Sequence, residues 1–276
     1  MNNKSIIFDK LEGAGNDFVL IDNRVYKISS TRLLQALARK MCDRKLGAGA
    51  DGLLVLENSR VADVRMRIIN ADGSEAEMCG NGARCFAYAF SRMKRIPDNF
   101  SLALETKAGI VKARVFNDNV KINLTRPQGL KLDIPLKVSG RVIKVNFINT
   151  GVPHAVIFVQ GLDKIDVQAL GREIRNHRYF APAGTNVNFV EVLNRDSIRI
   201  RTFERGVEGE TLACGTGSTA AALITSIKMN KNIEYINVHT VGKEVLKVSF
   251  VRSKGSFSDV WLEGRARLVY RGEYYV

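Results

Sequence analysis

Apolar and polar positions alternate along much of this chain, and the short alternating runs predict a protein built largely from strands. In the first half Ile6–Leu11, Phe18–Asp22, Leu53–Glu57, Val64–Ile69, Ile110–Phe116 and Val120–Leu124 read as strands. In the second half Val142–Ile148, His154–Val159, Asn188–Leu193, Ser197–Phe203, Val245–Val251 and Ser258–Gly264 do the same. A last run, Ala266–Tyr270, is expected to return to the first sheet. Three segments switch to helical spacing. Thr31–Cys42 carries Leu33, Leu34, Leu37, Ala38 and Met41 behind a Ser/Thr start, the pattern of a capped helix. Asn81–Met93 and Thr216–Met229 are rich in Ala, Phe and Leu with few charges. They predict helices buried on all sides, as a helix wrapped by a sheet would be.

The pattern is written twice. Arg67-Ile-Ile-Asn-Ala-Asp-Gly-Ser-Glu-Ala-Glu-Met-Cys79-Gly-Asn-Gly echoes Arg201-Thr-Phe-Glu-Arg-Gly-Val-Glu-Gly-Glu-Thr-Leu-Ala-Cys214-Gly-Thr-Gly, and the cysteines lie 135 positions apart. Asp51 and Asn186, each behind an Ala-Gly-x step, are also 135 apart; Gly15 and Gly151 are 136 apart. Three landmarks in one order at one spacing predict two copies of an α/β unit joined near residues 120–130. The expected halves are 1–123, with the returning strand at about 266–276, and 124–265.

Each copy sets a cysteine directly before Gly-x-Gly and a helix. The first turn of a helix leaves amide N–H groups without intrahelical partners, and the macrodipole makes that end electropositive. Glycines let the backbone approach a ligand closely. A carboxylate can therefore bind there, and a thiol at the same place is expected to shift toward thiolate. Two such sites suit proton exchange at a carbon beside a carboxylate, one thiolate removing the α-proton and a thiol returning one from the far side. Cys79 and Cys214 are thus the candidate acid–base pair. Cys42 and Cys85 fall inside helical patterns and read as core residues.

Composition narrows the classes. Of 276 residues 45% are apolar and 25% charged, which fits a folded globular protein. The net charge of +14 raises the question of a polyanion partner. The basic residues are scattered, however, and the densest set, Ser197-Ile-Arg-Ile-Arg201, reads as a solvated sheet face. Nucleic acid and membrane are not expected partners; a small amino-acid substrate is. The N-terminal segment has no apolar signal core, and no run approaches the roughly 20 apolar residues of a membrane span. Four cysteines without CxxC spacing and three histidines make a zinc cluster hard to assemble, so no metal is expected and a cytoplasmic location is.

At these same residues the chain resembles the diaminopimelate epimerase family. The resemblance is carried by Glu12-Gly-Ala-Gly-Asn-Asp-Phe18, Asn70-Ala-Asp-Gly-Ser74, Cys79-Gly-Asn-Gly-Ala-Arg-Cys85, Gly151-Val-Pro-His154 and Gly209-Glu-Thr-Leu-Ala-Cys-Gly-Thr-Gly217, preceded by Glu204-Arg-Gly206. It runs essentially end to end. It implies an isomerase that interconverts LL- and meso-2,6-diaminopimelate in lysine and peptidoglycan synthesis, without pyridoxal phosphate or metal. It implies an α/β (α+β) fold of two pseudo-symmetric domains, each a mixed, mostly antiparallel sheet curled around a central helix. Carried over by motif, Gly80, Asn81, Gly215 and Thr216 would bind the reacting carboxylate through backbone N–H. Asn16, Asn70 and Asn186 would position the substrate's polar ends. Arg205 would take the distal carboxylate, Glu204 would pair with an ammonium, and His154 and Glu204 would tune the thiols. Tyr270 matches a dimer contact, so a homodimer is expected.

Two positions depart from the pattern: Val152 where many members have Asn before Pro-His, and Gly52 where some have Gln after Asp51. Both fall on recognition of the distal group and leave the cysteine chemistry intact. The rival readings are a racemase or epimerase of another amino acid on the same fold and, further off, a basic nucleic-acid-binding or redox-sensing protein.

Overall fold

A computed structural model describes residues 5–95, 99–229, 233–253 and 255–276; the first four residues of the N-terminal segment lie outside this range. The chain divides into two units, residues 1–122 with 264–276, and residues 123–263. No helix among the described residues is long and apolar enough to cross a membrane.

In the first unit the strands are β1 (Ser5–Gly13), β2 (Asn16–Asp22), β3 (Gly52–Glu57), β4 (Val64–Asn70), β5 (Glu75–Ala76), β6 (Phe100–Thr106), β7 (Gly109–Phe116) and β8 (Asn119–Asn123). The last strand of the chain, Arg267–Tyr275, pairs antiparallel with β1. From there the ladder runs β1, β2, β3, β4, β6, β7, β8. It is antiparallel except at β2–β3 and β4–β6. The two-residue β1–β2 turn places both Ala14 and Gly15 at positive φ, 54° and 83°, as a tight hairpin with native strand twist requires.

The second unit repeats this plan with β9 (Gln128–Val138), β10 (Arg141–Asn149), β11 (Pro153–Phe158), β12 (Asn186–Val192), β13 (Ser197–Glu204), β14 (Gly209–Thr211), β15 (Tyr235–His239), β16 (Val245–Ser253) and β17 (Ser256–Arg265). Its ladder runs β9, β10, β11, β12, β13, β15, β16, β17, with parallel pairs at β11–β12 and β13–β15. The registers match across the repeat. Phe18 faces Gly52 as His154 faces Asn186, and Leu54 faces Ile68 as Asn188 faces Thr202. By register Asn186 therefore corresponds to Gly52, one position from the Asp51 that the sequence offset selects, because the stretch before it is two residues shorter in unit two than in unit one.

Among the described residues, five α-helices accompany the strands: α1 (Asn23–Tyr26), α2 (Thr31–Met41), α3 (Gly80–Met93), α4 (Val167–Arg175) and α5 (Gly215–Lys228). In unit one α3 packs against β1, β2, β4, β6, β7 and the last strand; in unit two α5 packs against β10, β11, β12, β13, β15 and β16. The inner helix is wrapped, so it must be apolar or internally satisfied. In α5, Thr219, Thr225 and Ser226 are fully buried and each returns its hydroxyl to a helix carbonyl, of Gly215, Ala221 and Leu223. An outer helix covers the opposite sheet face. Leu34, Leu37, Ala38 and Met41 of α2 join Val19, Ile21, Leu53 and Val55 in one core. The neighbouring strand positions Phe18, Leu20, Leu54 and Leu56 are buried on the other face. Double burial makes β2 and β3 continuous apolar runs.

Elements beyond those expected include β9 and α4. Strand β9 carries Pro135 and mixed charges along a largely exposed edge, where proline is tolerated. Helix α4 contains Gly171, a helix-weakening residue, because a Cβ there would sit 2.5 Å from Cβ of the buried Phe203. The solvated-face reading of Ser197–Arg201 is corrected. Arg199 pairs with Asp163 and Glu191, and Arg201 pairs with Glu210 and bonds the carbonyls of Leu162 and Ile165. These arginines tie the strand to the α4 side, which uses part of the basic excess structurally. Gly171→Ala should cost about 1–3 kcal/mol through overpacking against Phe203, measured by urea denaturation; a change within error would place the helix further from β13.

Candidate active site

Both inner helices begin at a cysteine. Cys79 and Cys214 are N-cap residues with extended backbone, and each sulfur accepts from the amide of the third helical residue, Gly82 N–H and Gly217 N–H, both at 3.4 Å. The cap carbonyls accept from Ala83 and Ser218 at 2.8 Å. That leaves the N–H groups of Gly80 and Asn81, and of Gly215 and Thr216, with no helix carbonyl to reach. Each helix start thus presents a thiol beside two amides directed along the positive end of the dipole. The glycine of the third helical position is forced in unit two, where a Cβ on Gly217 would lie 2.4 Å from Asn188 Oδ1.

Around Cys214 the chemistry is specific. It is buried, its sulfur lies 3.5 Å from Thr216 Oγ1, and it hydrogen-bonds Glu204. Burial first, and the Glu204 charge second, push its thiol well above the ordinary value. This corrects the expected shift toward thiolate: for this sulfur, burial outweighs the helix-start amide. Burial likewise raises Glu204, against hydrogen bonds from Thr211 and Cys214. Thr211 Oγ1 donates to Glu204 Oε1 at 2.5 Å and holds the carboxyl in place.

The other nominated residues of unit two are linked to this end of the sheet. Asn186 Oδ1 accepts from Arg205 N–H at 2.8 Å, and its amide nitrogen donates to the Pro153 carbonyl at 3.3 Å. Arg205 also donates to the Ala183 carbonyl at 3.0 Å. Thr150 Oγ1 donates to the Thr216 carbonyl at 2.9 Å, tying the loop before His154 to the helix start.

In unit one a chain of polar groups runs away from the helix start. Arg84, fully buried, donates to Asn81 Oδ1 (2.8 Å), Asn81 donates to Asn16 Oδ1 (2.6 Å), and Asn16 donates to Asp51 Oδ2 (2.9 Å). Arg44 clamps Asp51 and Asp17 together, and Lys10 bonds Asp17 and the Gly49 carbonyl. Burial pushes Asp17 up, but the hydrogen bonds and charges of Arg44 and Lys10 prevail and hold it at about 2. Asn81 is therefore side-chain-saturated and offers its backbone N–H. Asn70 stands apart from Asn16 and Asn81, exposed at the end of β4 with its amide on Ser74 Oγ at 2.9 Å. Tyr270 is exposed on the last strand, its hydroxyl on the Ala48 carbonyl at 3.2 Å.

The family model for diaminopimelate epimerase matches residues 8–129 and 146–265. The chain belongs to the diaminopimelate epimerase family. A diaminopimelate epimerase of Aquifex aeolicus is 43% identical over 274 residues, covering 96% of each chain. Among solved structures, a phenazine biosynthesis protein of the PhzF family from Bacillus anthracis superposes with TM-score 0.77 at 18% identity, over 99% of this chain and 100% of that one. A hydroxyproline epimerase from Agrobacterium vitis, with bound trans-4-hydroxy-L-proline, gives TM-score 0.72 at 19% identity, over 98% and 90%. Those two likenesses concern the fold, which is the expected one: mixed α/β and mostly strands.

Against the family pattern, Gly52 is tight. A Cβ there would be 3.1 Å from the Ile69 carbonyl, so a side chain at this position needs a small shift of β4. Residues that sequence reasoning passed over include Thr211, the Lys10–Asp17–Arg44–Asp51 clamp, Asn188 and Thr202. Asn188 and Thr202 had a signal, being polar residues at core-facing positions of apolar strands; the clamp had none beyond its charges. Glu204→Gln removes the charge beside Cys214, which favours the thiolate, so the Cys214 titration midpoint should fall. Iodoacetamide labelling of Cys214 against pH, read by mass spectrometry, measures it; a midpoint that stays or rises would leave burial as the whole cause.

Proposed function

We propose that this protein interconverts LL- and meso-2,6-diaminopimelate by exchanging one α-proton, with Cys79 and Cys214 as the proton-handling groups. The observation that carries the reading is the pair of matched helix starts, each with a thiol cap and two free amides; the family supplies the substrate. A carboxylate on the amides of Gly80, Asn81, Gly215 and Thr216 would have its charge stabilised as the neighbouring carbon loses a proton. The α-C–H bond breaks, the proton passes to one thiolate, and the electron pair is delocalised onto the carboxylate. A thiol on the opposite face gives the carbon its own proton and becomes the thiolate. Atoms balance, and the sulfurs end with their protonation states exchanged. Which sulfur takes the proton and which gives it depends on the direction of the reaction.

Arg205 offers a planar fork for the distal carboxylate; Asn186 Oδ1 holds its backbone N–H, and one guanidinium nitrogen rests on the Ala183 carbonyl. Asn16, Asn70 and Asn186 serve the polar ends of the substrate, and Glu204 and His154 tune the sulfurs. Val152 and Gly52 leave fewer side-chain donors for the distal end than many relatives have. Tyr270 would belong to a contact between two copies of the chain in a homodimer.

Wild-type protein in deuterium oxide should incorporate deuterium at the α-carbon of LL-diaminopimelate while producing the meso form. Cys79→Ala and Cys214→Ala should each lose inversion by at least about a thousandfold, since removing an acid–base partner costs on this order. Inversion that survives either substitution would end the two-thiol mechanism. Turnover of proline or another single-ended amino acid, without turnover of diaminopimelate, would move the protein to a different substrate.

A further inference from the structure

The core of unit two surrounds His154 with two buried polar residues, Asn188 and Thr202, that the mechanism above does not use. His154 on β11 and Asn188 on β12 are fully buried, and Thr202 on β13 is 3% exposed. Asn188 Nδ2 lies 3.0 Å from the Ala155 carbonyl and 3.1 Å from His154 Nδ1, while Thr202 Oγ1 donates to Asn188 Oδ1 at 3.1 Å. The Ala155 carbonyl can only accept, so the Asn188 nitrogen must face it; the flipped amide would set two carbonyl oxygens against each other. The second hydrogen of that nitrogen then meets Nδ1, which must carry a lone pair. The ring proton is left on Nε2. Burial first, then the Arg205 charge, hold the His154 pKa down at about 3, so the ring is neutral at working pH.

Nε2 is buried and has no hydrogen-bond partner among the described residues. A buried donor left unmade is costly, and such groups are rare unless they serve a purpose. Nor does the fold demand this set. The corresponding register positions of unit one hold Phe18, Leu54 and Ile68, all apolar and buried. In both units the set lies under the third residue of the inner helix: Leu54 and Phe18 approach Gly82, and Asn188 approaches Gly217.

We infer that Asn188 and Thr202 are positioning residues that lock His154 as a neutral Nε2–H donor, and that His154 serves the reaction by donating a hydrogen bond to an anionic acceptor and not as a base. The role in the reaction rests on the proposed epimerase function; the tautomer does not. With three histidines in the chain, ¹⁵N-histidine labelling with long-range proton–nitrogen correlation reads each ring directly, and His154→Gln assigns the signal. His154 should show protonated Nε2 and unprotonated Nδ1, unchanged between about pH 5 and 8. An Nδ1–H ring, or an imidazolium titrating in that range, would overturn the inference without substrate or turnover being involved. Asn188→Asp puts an acceptor opposite Nδ1 and should move the proton there. It should lower kcat at least about tenfold, with KM changed less than about threefold, as expected for loss of a transition-state donor. Full kcat with a protonated Nδ1 would refute the donor role. The Nε2–H ring in a wild-type protein that leaves diaminopimelate unchanged would instead refute the substrate reading.

Discussion

The first amides of a buried helix need acceptors, and in both halves of this chain the side chain placed to supply one is a thiol. Sulfur is a weak acceptor, so a cysteine N-cap satisfies Gly82 or Gly217 at a long 3.4 Å and leaves the two preceding amides for something else. Much of the fold follows from that arrangement. The helix must be wrapped by the sheet to be buried, its first residues must be glycine where strand side chains press against it, and Thr219, Thr225 and Ser226 of α5 return their hydroxyls to helix carbonyls. A serine or aspartate at the same place would cap better and carry no comparable acid–base chemistry.

Duplication supplies two such helix starts, and divergence has made them chemically unequal. Beneath α3 the register positions are Phe18, Leu54 and Ile68; beneath α5 they are His154, Asn188 and Thr202. At the strand end where unit two has Glu204 beside Cys214, unit one has Asn70, a side chain that does not take up a proton at ordinary pH. Unit one spends its polar residues differently, on the run from Arg84 through Asn81, Asn16 and Asp51 to Arg44, Asp17 and Lys10. That run holds the helix start by a chain of hydrogen bonds ending in a charged clamp. The two helix starts therefore share a backbone plan and differ in the charge and hydrogen bonding around their thiols.

How much of this was legible in the sequence depended on whether a residue's role is local. The inner helices, the β1–β2 hairpin at Ala14–Gly15 and the cysteine caps are local patterns, and the repeat doubled their signal. Strand β9 does alternate, Leu130 to Val138 with Ile134, Leu136 and Val138 buried, but Pro135 in its middle argues against a strand until the edge position is known; α4 is obscured because Gly171 answers to Phe203, 32 positions on. The thiol shift was misjudged for the same reason. A helix start can be seen in Cys-Gly-Thr-Gly, whereas the burial of Cys214 and its contact with Glu204 are set by the tertiary fold. The Asp51 clamp joins four charges from three segments, and each alone reads as a solvated surface residue.

A buried thiol holds its proton in concert with the group hydrogen-bonded to it. Burial raises Cys214 and Glu204 in the same direction, since each would rather be neutral away from water. The two are hydrogen-bonded, so a proton passing between them relocates one negative charge without creating a second in a low-dielectric site. Like-charge repulsion of the kind that keeps paired carboxylates from both ionising keeps this pair from losing both protons. Glu204 is in turn held by Thr211 and cannot swing to solvent without breaking a 2.5 Å bond. One negative charge on this pair therefore opposes a second, which is why burial and the Glu204 charge act on Cys214 in the same direction.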